Sequence, residues 1–176
     1  LINNAGLGYT GNLVDVEPEK SRRTLDVNVV AVHELCRSGA AAMVARGGGA
    51  ILNVSSVAGD MVGPATATYN ATKAYVTSLS QSMQVELDKH GVVVSVLCPG
   101  LTRTEFQHRA EMDTTDLPDF LWQTAEEVAA AGLDGLAKGK VVVTPGVKNR
   151  VASRLARSLP RAVVRAGSSR LGQMGD

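Results

Sequence analysis

Apolar and polar positions along the chain fall into short β-rich runs separated by longer segments of helical period. The opening "LIN" reads as the last residues of a strand. After a loop, "EPEKSRRTLDVNVVAVHELCRSGAAAMVAR" gives one or two helices, with Pro18 at a first helical position. "AILNVSS" is a short apolar strand that ends in polar residues, and "TATYNATKAYVTSLSQSMQVELDKHG" is a long helix with Gly91 at its C-cap. "VVVSVLCPG" is a second buried strand, ended by Pro99 and Gly100. Between Leu101 and Trp122 the pattern dissolves into an irregular, charged stretch. A helix restarts at "TAEEVAAAGLDGLAKG", where Thr124 and Glu127 have capping-box spacing. "KVVVTPG" is a last strand, followed by the helical "NRVASRLARSLPRAVVRAG". Strands alternating with helices predict βα units around a parallel sheet.

At 176 residues with 44% apolar content, the chain has the size and core of one domain. No apolar run approaches the roughly 18 residues that span a bilayer. Leu1 stands in what reads as the end of a buried strand, with no basic leader before it, so the expectation is a piece of a longer chain. Cys36 and Cys98 lack metal or redox spacing and are expected to be buried, reduced thiols of a cytoplasmic protein. The net charge of +1 conceals an asymmetry. Residues 1–137 hold 9 Lys/Arg and 16 Asp/Glu, a balance of −7, whereas residues 138–176 hold 9 Lys/Arg and one acid, a balance of +8.

One glycine pattern invites a cofactor reading. Gly6, Gly8 and Gly11 in "GLGYTG" have G-x-G-x-x-G spacing. A dinucleotide cradle needs that loop to open directly into a helix, whose N-terminal N–H groups meet the pyrophosphate. Here "NLVDVE" follows Gly11 and the helical pattern starts only at Pro18, so the cradle reading fails. "RGGGAIL" fails in the other direction, because its glycines lead into a strand.

The chemistry gathers further along. Tyr69 and Lys73, four apart in a helix, project from one face with Cβ atoms about 5–6 Å apart. Ser56 falls at the carboxyl end of a strand, where open α/β sheets bind their ligands. A free phenol, with a pKa of about 10, is a poor acid or base at neutral pH. A neighbouring ammonium favours the phenolate and brings the group toward a useful range. The Ser56 hydroxyl is placed to hold a carbonyl or alkoxide oxygen.

"NNAG" (Asn3 to Gly6), Asn28 in "LDVNVV", "NVSS" ending at Ser56, "YNATK" from Tyr69 to Lys73, and "CPGLTRT" from Cys98 to Thr104 occur in that order. This series resembles the classical short-chain dehydrogenase/reductase family over residues 1 to about 145. The resemblance implies a Rossmann-like, doubly wound parallel sheet and an NAD- or NADP-dependent oxidoreductase acting on a small carbonyl/alcohol pair. Tyr69 would be the general acid/base. Lys73 would bind the nicotinamide ribose and lower the tyrosine pKa, and Ser56 would hold the substrate oxygen. Asn28 would kink its helix and hold a water linking Lys73 to solvent. Asn3, Ala5 and Gly6 would shape the sheet edge beside the adenosine half, with Pro99, Gly100, Thr102 and Thr104 at the nicotinamide end. Thr102 departs from the branched apolar residue usual in the family.

The family's glycine-rich cofactor turn and the residue that selects NAD or NADP are not in the sequence, so the expectation is a doubly wound sheet lacking its first βαβαβ part. Two alternatives compete: a fragment without activity that acts as a folding or oligomerisation unit, and a sugar-nucleotide epimerase or dehydratase, which shares Tyr-x-x-x-Lys. Residues 101–123 fall where the family has its substrate lid, and Phe106, Leu117, Phe120, Leu121 and Trp122 favour a lipophilic ketone of lipid, steroid or acyl type. Asp60 and Met61 are expected either to touch substrate or to belong to a simple loop. His33, His90 and His108 show no ligand spacing, and no metal or nucleic-acid partner is expected. The helices at 18–46 and 67–90 take the family's dimer or tetramer contact positions. In the tail, residues 146–176, Arg150, Arg154, Arg157 and Arg161 recur at helical spacing, with Val151, Leu155 and Leu159 on another face. This basic amphipathic helix suits an anionic membrane surface, a carrier phosphate, or plain packing by its leucines.

Overall fold

The computed structural model describes residues 1–115 and 117–159. Its strands and helices run β1 (Ile2–Asn3), α1 (Pro18–Leu25), α2 (Val32–Ala45), β2 (Gly49–Val54), α3 (Ala67–Leu87), β3 (Val92–Leu97), β4 (Thr102–Arg103), α4 (Phe106–Arg109), β5 (Gln123–Thr124), α5 (Ala125–Ala137), β6 (Val142–Val143) and α6 (Val147–Ser158). Four strands form one parallel sheet in the order β1-β2-β3-β6. The other two pair as a short parallel ladder, Thr102 against Gln123 and Arg103 against Thr124.

Side chains alternate across a strand, and the sheet uses both faces. Ile51, Val94 and Val96 pack with Val32, Cys36, Ala40 and Met43 of α2 and Val76 and Met83 of α3. Leu52 and Leu97 point the other way, against Val128 of α5 and Val143. Helices on both faces make the sheet doubly wound, as expected. On the α5 side the layers meet at glycines: a Cβ on Gly132 would lie 2.8 Å from Leu97, and one on Gly135 would lie 2.3 Å from Val143. Thr124 and Glu127 close the capping box at the start of α5.

Two local features depart from simple periodicity. Between α1 and α2 the chain does not break but widens into a π-helical turn, Asp26–Ala31, centred on buried Asn28. The opening strand is also less buried than its apolar run suggests. It lies at the sheet edge, and although the Asn3 side chain is buried, Ile2 is 56% exposed.

A 3-10 turn, Val57–Asp60, follows β2 and begins on Ser56, whose hydroxyl accepts a hydrogen bond from the Ala58 N–H at 3.1 Å. Gly59 lets this turn lie against α3, since a Cβ there would come within 2.8 Å of the main chain at Lys73 and Ala74. Backbone cannot yield as a flexible side chain can, so Gly59→Ala is expected to destabilise by about 1–3 kcal/mol. At roughly 2–4 °C per kcal/mol for a chain of this size, a thermal melt should show a drop of several degrees. An unchanged melting temperature would contradict the close packing.

Candidate active site

Everything chemically notable collects where α3 crosses the carboxyl end of β2. The Ser55 hydroxyl donates to the Lys73 carbonyl at 2.7 Å and lies 2.7 Å from the Thr77 hydroxyl, binding strand to helix. Ser55 is thus a buried structural residue, and Ser56, the next along, is left partly exposed on the open side. One turn of α3 separates Tyr69 from Lys73, so both face this strand end. The Lys73 ammonium is buried, donates to the Val54 carbonyl at 3.0 Å, and lies 5.7 Å from the centroid of the Tyr69 ring.

Burial dominates the electrostatics. It pulls Lys73 down to about 8, because the low-dielectric interior disfavours the ammonium. It pushes the Tyr69 phenol above its ordinary value, an effect partly offset by the Ser56 hydroxyl beside it. The ammonium lies over the ring of Tyr69, and burial, the larger influence on the phenol, raises its pKa instead of lowering it.

Asn28 meets this group through the loop after β1. Its carbonyl oxygen accepts from the Leu7 N–H at 2.8 Å, and its amide donates to the Leu7 carbonyl at 2.7 Å and the Thr72 hydroxyl at 3.0 Å. The π-helical turn therefore clamps the "NNAG" loop to α3. Gly6 lies within that clamp, where a Cβ would stand 3.2 Å from the Lys73 ammonium and 3.6 Å from the Asn28 carbonyl oxygen. Gly8 passes over the catalytic tyrosine candidate, where a Cβ would meet the Tyr69 ring at 2.9 Å and Phe106 at 3.1 Å. Gly6 and Gly8 thus make room for Lys73 and Tyr69.

The remaining predicted positions divide. Asn3 turns into the sheet, where its amide donates to Asn53 at 2.8 Å and to the Cys36 sulfur at 3.4 Å, and its carbonyl oxygen is buried without a partner. Ala5 continues the loop toward Gly6. Pro99 and Gly100 end β3 beside Ser56: the Pro99 carbonyl accepts from the Val57 N–H at 2.9 Å and more distantly from the Ser56 hydroxyl at 3.4 Å. Thr102 donates to the Gly100 carbonyl, and the Thr104 hydroxyl accepts from the Phe106 N–H at the start of α4. Both threonine hydroxyls thus have local partners. In the lid segment, the Phe106 ring lies 5.5 Å from that of Tyr69, Trp122 stacks under Arg103, and Phe120 is 63% exposed beneath Lys148. A wide cleft of about 640 Å³ opens beside the Leu7–Tyr9 loop, lined by Leu7, Tyr9, Arg23, His108, Arg109 and Glu111. Among the described residues, no group of three or more His, Cys, Asp and Glu side chains gathers to hold a metal, and no helix is long and apolar enough to cross a membrane. Cys36 and Cys98 are free and buried, and burial lifts the Cys98 thiol to about 11.

Asp60, expected either to touch substrate or to belong to a simple loop, is paired with a helix instead. Asp60 is a buried carboxylate that receives the Ser153 hydroxyl at 2.5 Å and the Arg157 guanidinium at 2.9 Å, both from α6. The packing expected through tail leucines is not found, since Val151 and Leu155 are about half exposed and the buried contact is Ser153. Arg161 lies outside the described residues.

A parallel sheet with helices on both faces defines an α/β protein of the doubly wound class, and a serine, a tyrosine and a lysine gather at its carboxyl edge, where open sheets of this kind bind ligands. Residues 1–115 match the family model of short chain dehydrogenases, and the chain belongs to that family. The oxidoreductase UcpA of Escherichia coli K12 is 36% identical over 105 residues, which are 59% of this chain and 40% of that protein. A 3alpha-hydroxysteroid dehydrogenase of Mediterraneibacter gnavus is 35% identical over 105 residues, covering 60% of this chain and 42% of its own. Among solved structures, a short-chain dehydrogenase from Sphingobium yanoikuyae in complex with NADPH superposes with a TM-score of 0.78 at 31% identity, covering 99% of this chain and 64% of that one. The chain thus spans about two-fifths of the length of these curated relatives.

The buried ammonium gives a stability test. Lys73 holds its proton less tightly folded, at about 8, than unfolded, at 10.5. The unfolded chain therefore binds more protons between those values, and this residue's contribution to stability rises with pH across them and is at its worst below 8. Lys73→Met keeps the length and removes the charge. It is expected to melt about 2–6 °C higher than wild type at pH 7, the gain shrinking as pH rises from 8 to 10.5. A lower melting temperature at pH 7 would show that the ammonium is a net stabiliser.

Proposed function

We propose that this chain carries the catalytic half of an NAD(P)-dependent oxidoreductase that interconverts a carbonyl and an alcohol. The observation that carries the reading is the convergence of Ser56, Tyr69 and Lys73 at one strand end, inside a family whose relatives include named dehydrogenases. A nicotinamide cofactor fits this site at its ribose end. Lys73 has three N–H donors and spends one on Val54, leaving two for hydroxyl oxygens. The Gly6–Gly11 loop offers no pyrophosphate cradle, because α1 begins only at Pro18.

When bound, the cofactor supplies or accepts the hydride. The protein's own work is proton handling and orientation. The Ser56 hydroxyl, partly exposed, donates to the substrate oxygen and sets it beside the Tyr69 phenol. During reduction the phenol gives its proton to that oxygen as it gains charge, and during oxidation the phenolate takes it back. Lys73 holds the ribose hydroxyls and, titrating at about 8, lies on a path for returning the proton. The side-chain amide of Asn28 is committed to Leu7 and Thr72, and the family resemblance gives Asn28 a water that links Lys73 to solvent. Asn3, Ala5 and Gly6 border the cofactor, and Pro99, Gly100, Thr102 and Thr104 meet its nicotinamide end. Phe106 against Tyr69 favours an apolar group next to the reacting carbonyl. The charged cleft outside it receives the substrate's polar remainder.

A phenol raised by burial is protonated at neutral pH, which suits reduction. Alcohol oxidation should therefore climb with pH across the alkaline range, while ketone reduction should fall as the phenol ionises. Tyr69→Phe in the full-length protein is expected to cost about 10²–10⁴-fold in kcat with cofactor affinity kept. Turnover at more than a tenth of the wild-type rate would remove Tyr69 from its role.

A further inference from the structure

One buried charged group has no part in the proton chemistry, and its position is unusual. Asp60 ends the 3-10 turn that Ser56 begins, and its side chain is only 10% exposed. Both carboxylate oxygens are taken by successive turns of α6, Oδ2 by the Ser153 hydroxyl and Oδ1 by the Arg157 Nε–H. Residues four apart on a helix share one face, so α6 presents its short hydroxyl and its long guanidinium together to a single carboxylate. A charge this deep is retained only where it is paired and hydrogen-bonded, and here both conditions are met.

The same helix reaches the far side of the site. Asn149, one turn before Ser153, donates to Gln123 at 2.8 Å and to the Pro145 carbonyl at 3.0 Å. It packs so closely on Gly100 that a Cβ there would fall 2.5 Å from its amide. Gln123 in turn lies in the short ladder with Thr102. One helix thus touches the Ser56 turn, the Pro99–Gly100 loop and the base of the lid segment; turn and loop are also joined by the Val57 and Ser56 bonds to the Pro99 carbonyl, and loop and lid base by the Thr102–Gln123 ladder.

We propose that Asp60 is a positioning residue that, through Ser153 and Arg157, makes α6 a strut fixing the Ser56 hydroxyl relative to the Pro99–Gly100 loop. The proposal rests on the oxidoreductase reading, because it assigns Ser56 a substrate oxygen to hold. It also commits Arg157, one of the basic residues spaced along the tail, to a carboxylate of its own chain, with the side chain still 40% exposed. Without the clasp, the turn retains its Gly59 contact with α3 and its Val57 and Ser56 bonds to the Pro99 carbonyl but loses the second tie to the loop that runs through α6, and a misplacement of about 1 Å in such geometry costs on the order of 100-fold in rate.

The test uses the full-length protein and three variants, Asp60→Asn, Arg157→Gln and Arg157→Lys, assayed on a panel of ketones with NADPH and NADH. Asp60→Asn and Arg157→Gln are expected to lower kcat tenfold or more per cofactor-binding site, with cofactor affinity within twofold of wild type. Combined, they should cost no more than either alone. Arg157→Lys, which keeps the charge, should recover part of the rate. Hydrogen exchange at the Val57, Gly59 and Met61 amides should quicken in Arg157→Gln while exchange in β3 stays as in wild type. Wild-type kcat in Arg157→Gln would overturn the proposal, as would unchanged exchange in the turn. Should Asp60→Asn fail to fold, Arg157→Gln, altered on the outer helix, decides alone. No turnover by the wild-type protein on any substrate in the panel, together with faster exchange in Arg157→Gln, would sink the oxidoreductase reading and leave the clasp standing.

Discussion

The site depends on how closely α3 can cross the end of β2. A helix normally keeps its side chains between its own backbone and a sheet. Here Gly59 and the Ser55 hydroxyl bring strand-end and helix main chains together, with Ser55 bonded to the Lys73 carbonyl at 2.7 Å. That contact places the Lys73 side chain under the strand end, where its ammonium donates to the Val54 carbonyl. The same crossing sets Tyr69, one turn earlier, beside Ser56. Burial of the lysine is thus the consequence of the geometry that gathers the three groups, and the depressed pKa is its electrostatic cost.

The other parts of the molecule secure this crossing from separate sides. The π-helical turn at Asn28 grips Leu7 and Thr72, which ties the loop after β1 to α3. Gly8 lets that loop lie on the Tyr69 ring, and Phe106 of α4 packs against the same ring. From beyond, α6 holds the Ser56 turn through Asp60 and the Gly100 loop through Asn149. Some of these ties are buried or half-buried hydrogen bonds and others are close packing at glycines and aromatic rings, and together they hold the strand end stiffly.

Much of this was legible in the residues. The βα alternation, the long helix ended by Gly91, and the capping box at Thr124 all follow from periodicity and local propensity, and the doubly wound sheet follows from them. Ser56, Tyr69 and Lys73 were legible because strand ends and four-residue helical spacing are local geometry. What sequence could not carry was long-range. The pairing of Asp60 with Ser153 and Arg157 spans more than ninety residues, and nothing near Asp60 distinguishes it from a loop acid. The spacing of the glycines at 6, 8 and 11 is shared by loops that meet phosphate and loops that meet a side chain, and the late start of the helix at Pro18 was enough to reject the cradle from sequence. The direction of the Tyr69 shift was missed, since spacing tells how near the ammonium is in sequence but not how deeply the phenol is buried.

The most direct measurement of the α3–β2 crossing is the ionisation of Lys73 itself. With ¹⁵N-labelled lysine in the full-length protein, and Lys73→Met to assign the resonance, the Nζ signal can be followed across the alkaline range. The geometry predicts a midpoint at about 8, set by burial at the strand end. A midpoint at the ordinary lysine value of about 10.4 would place the ammonium in water and contradict the crossing on which the site is built.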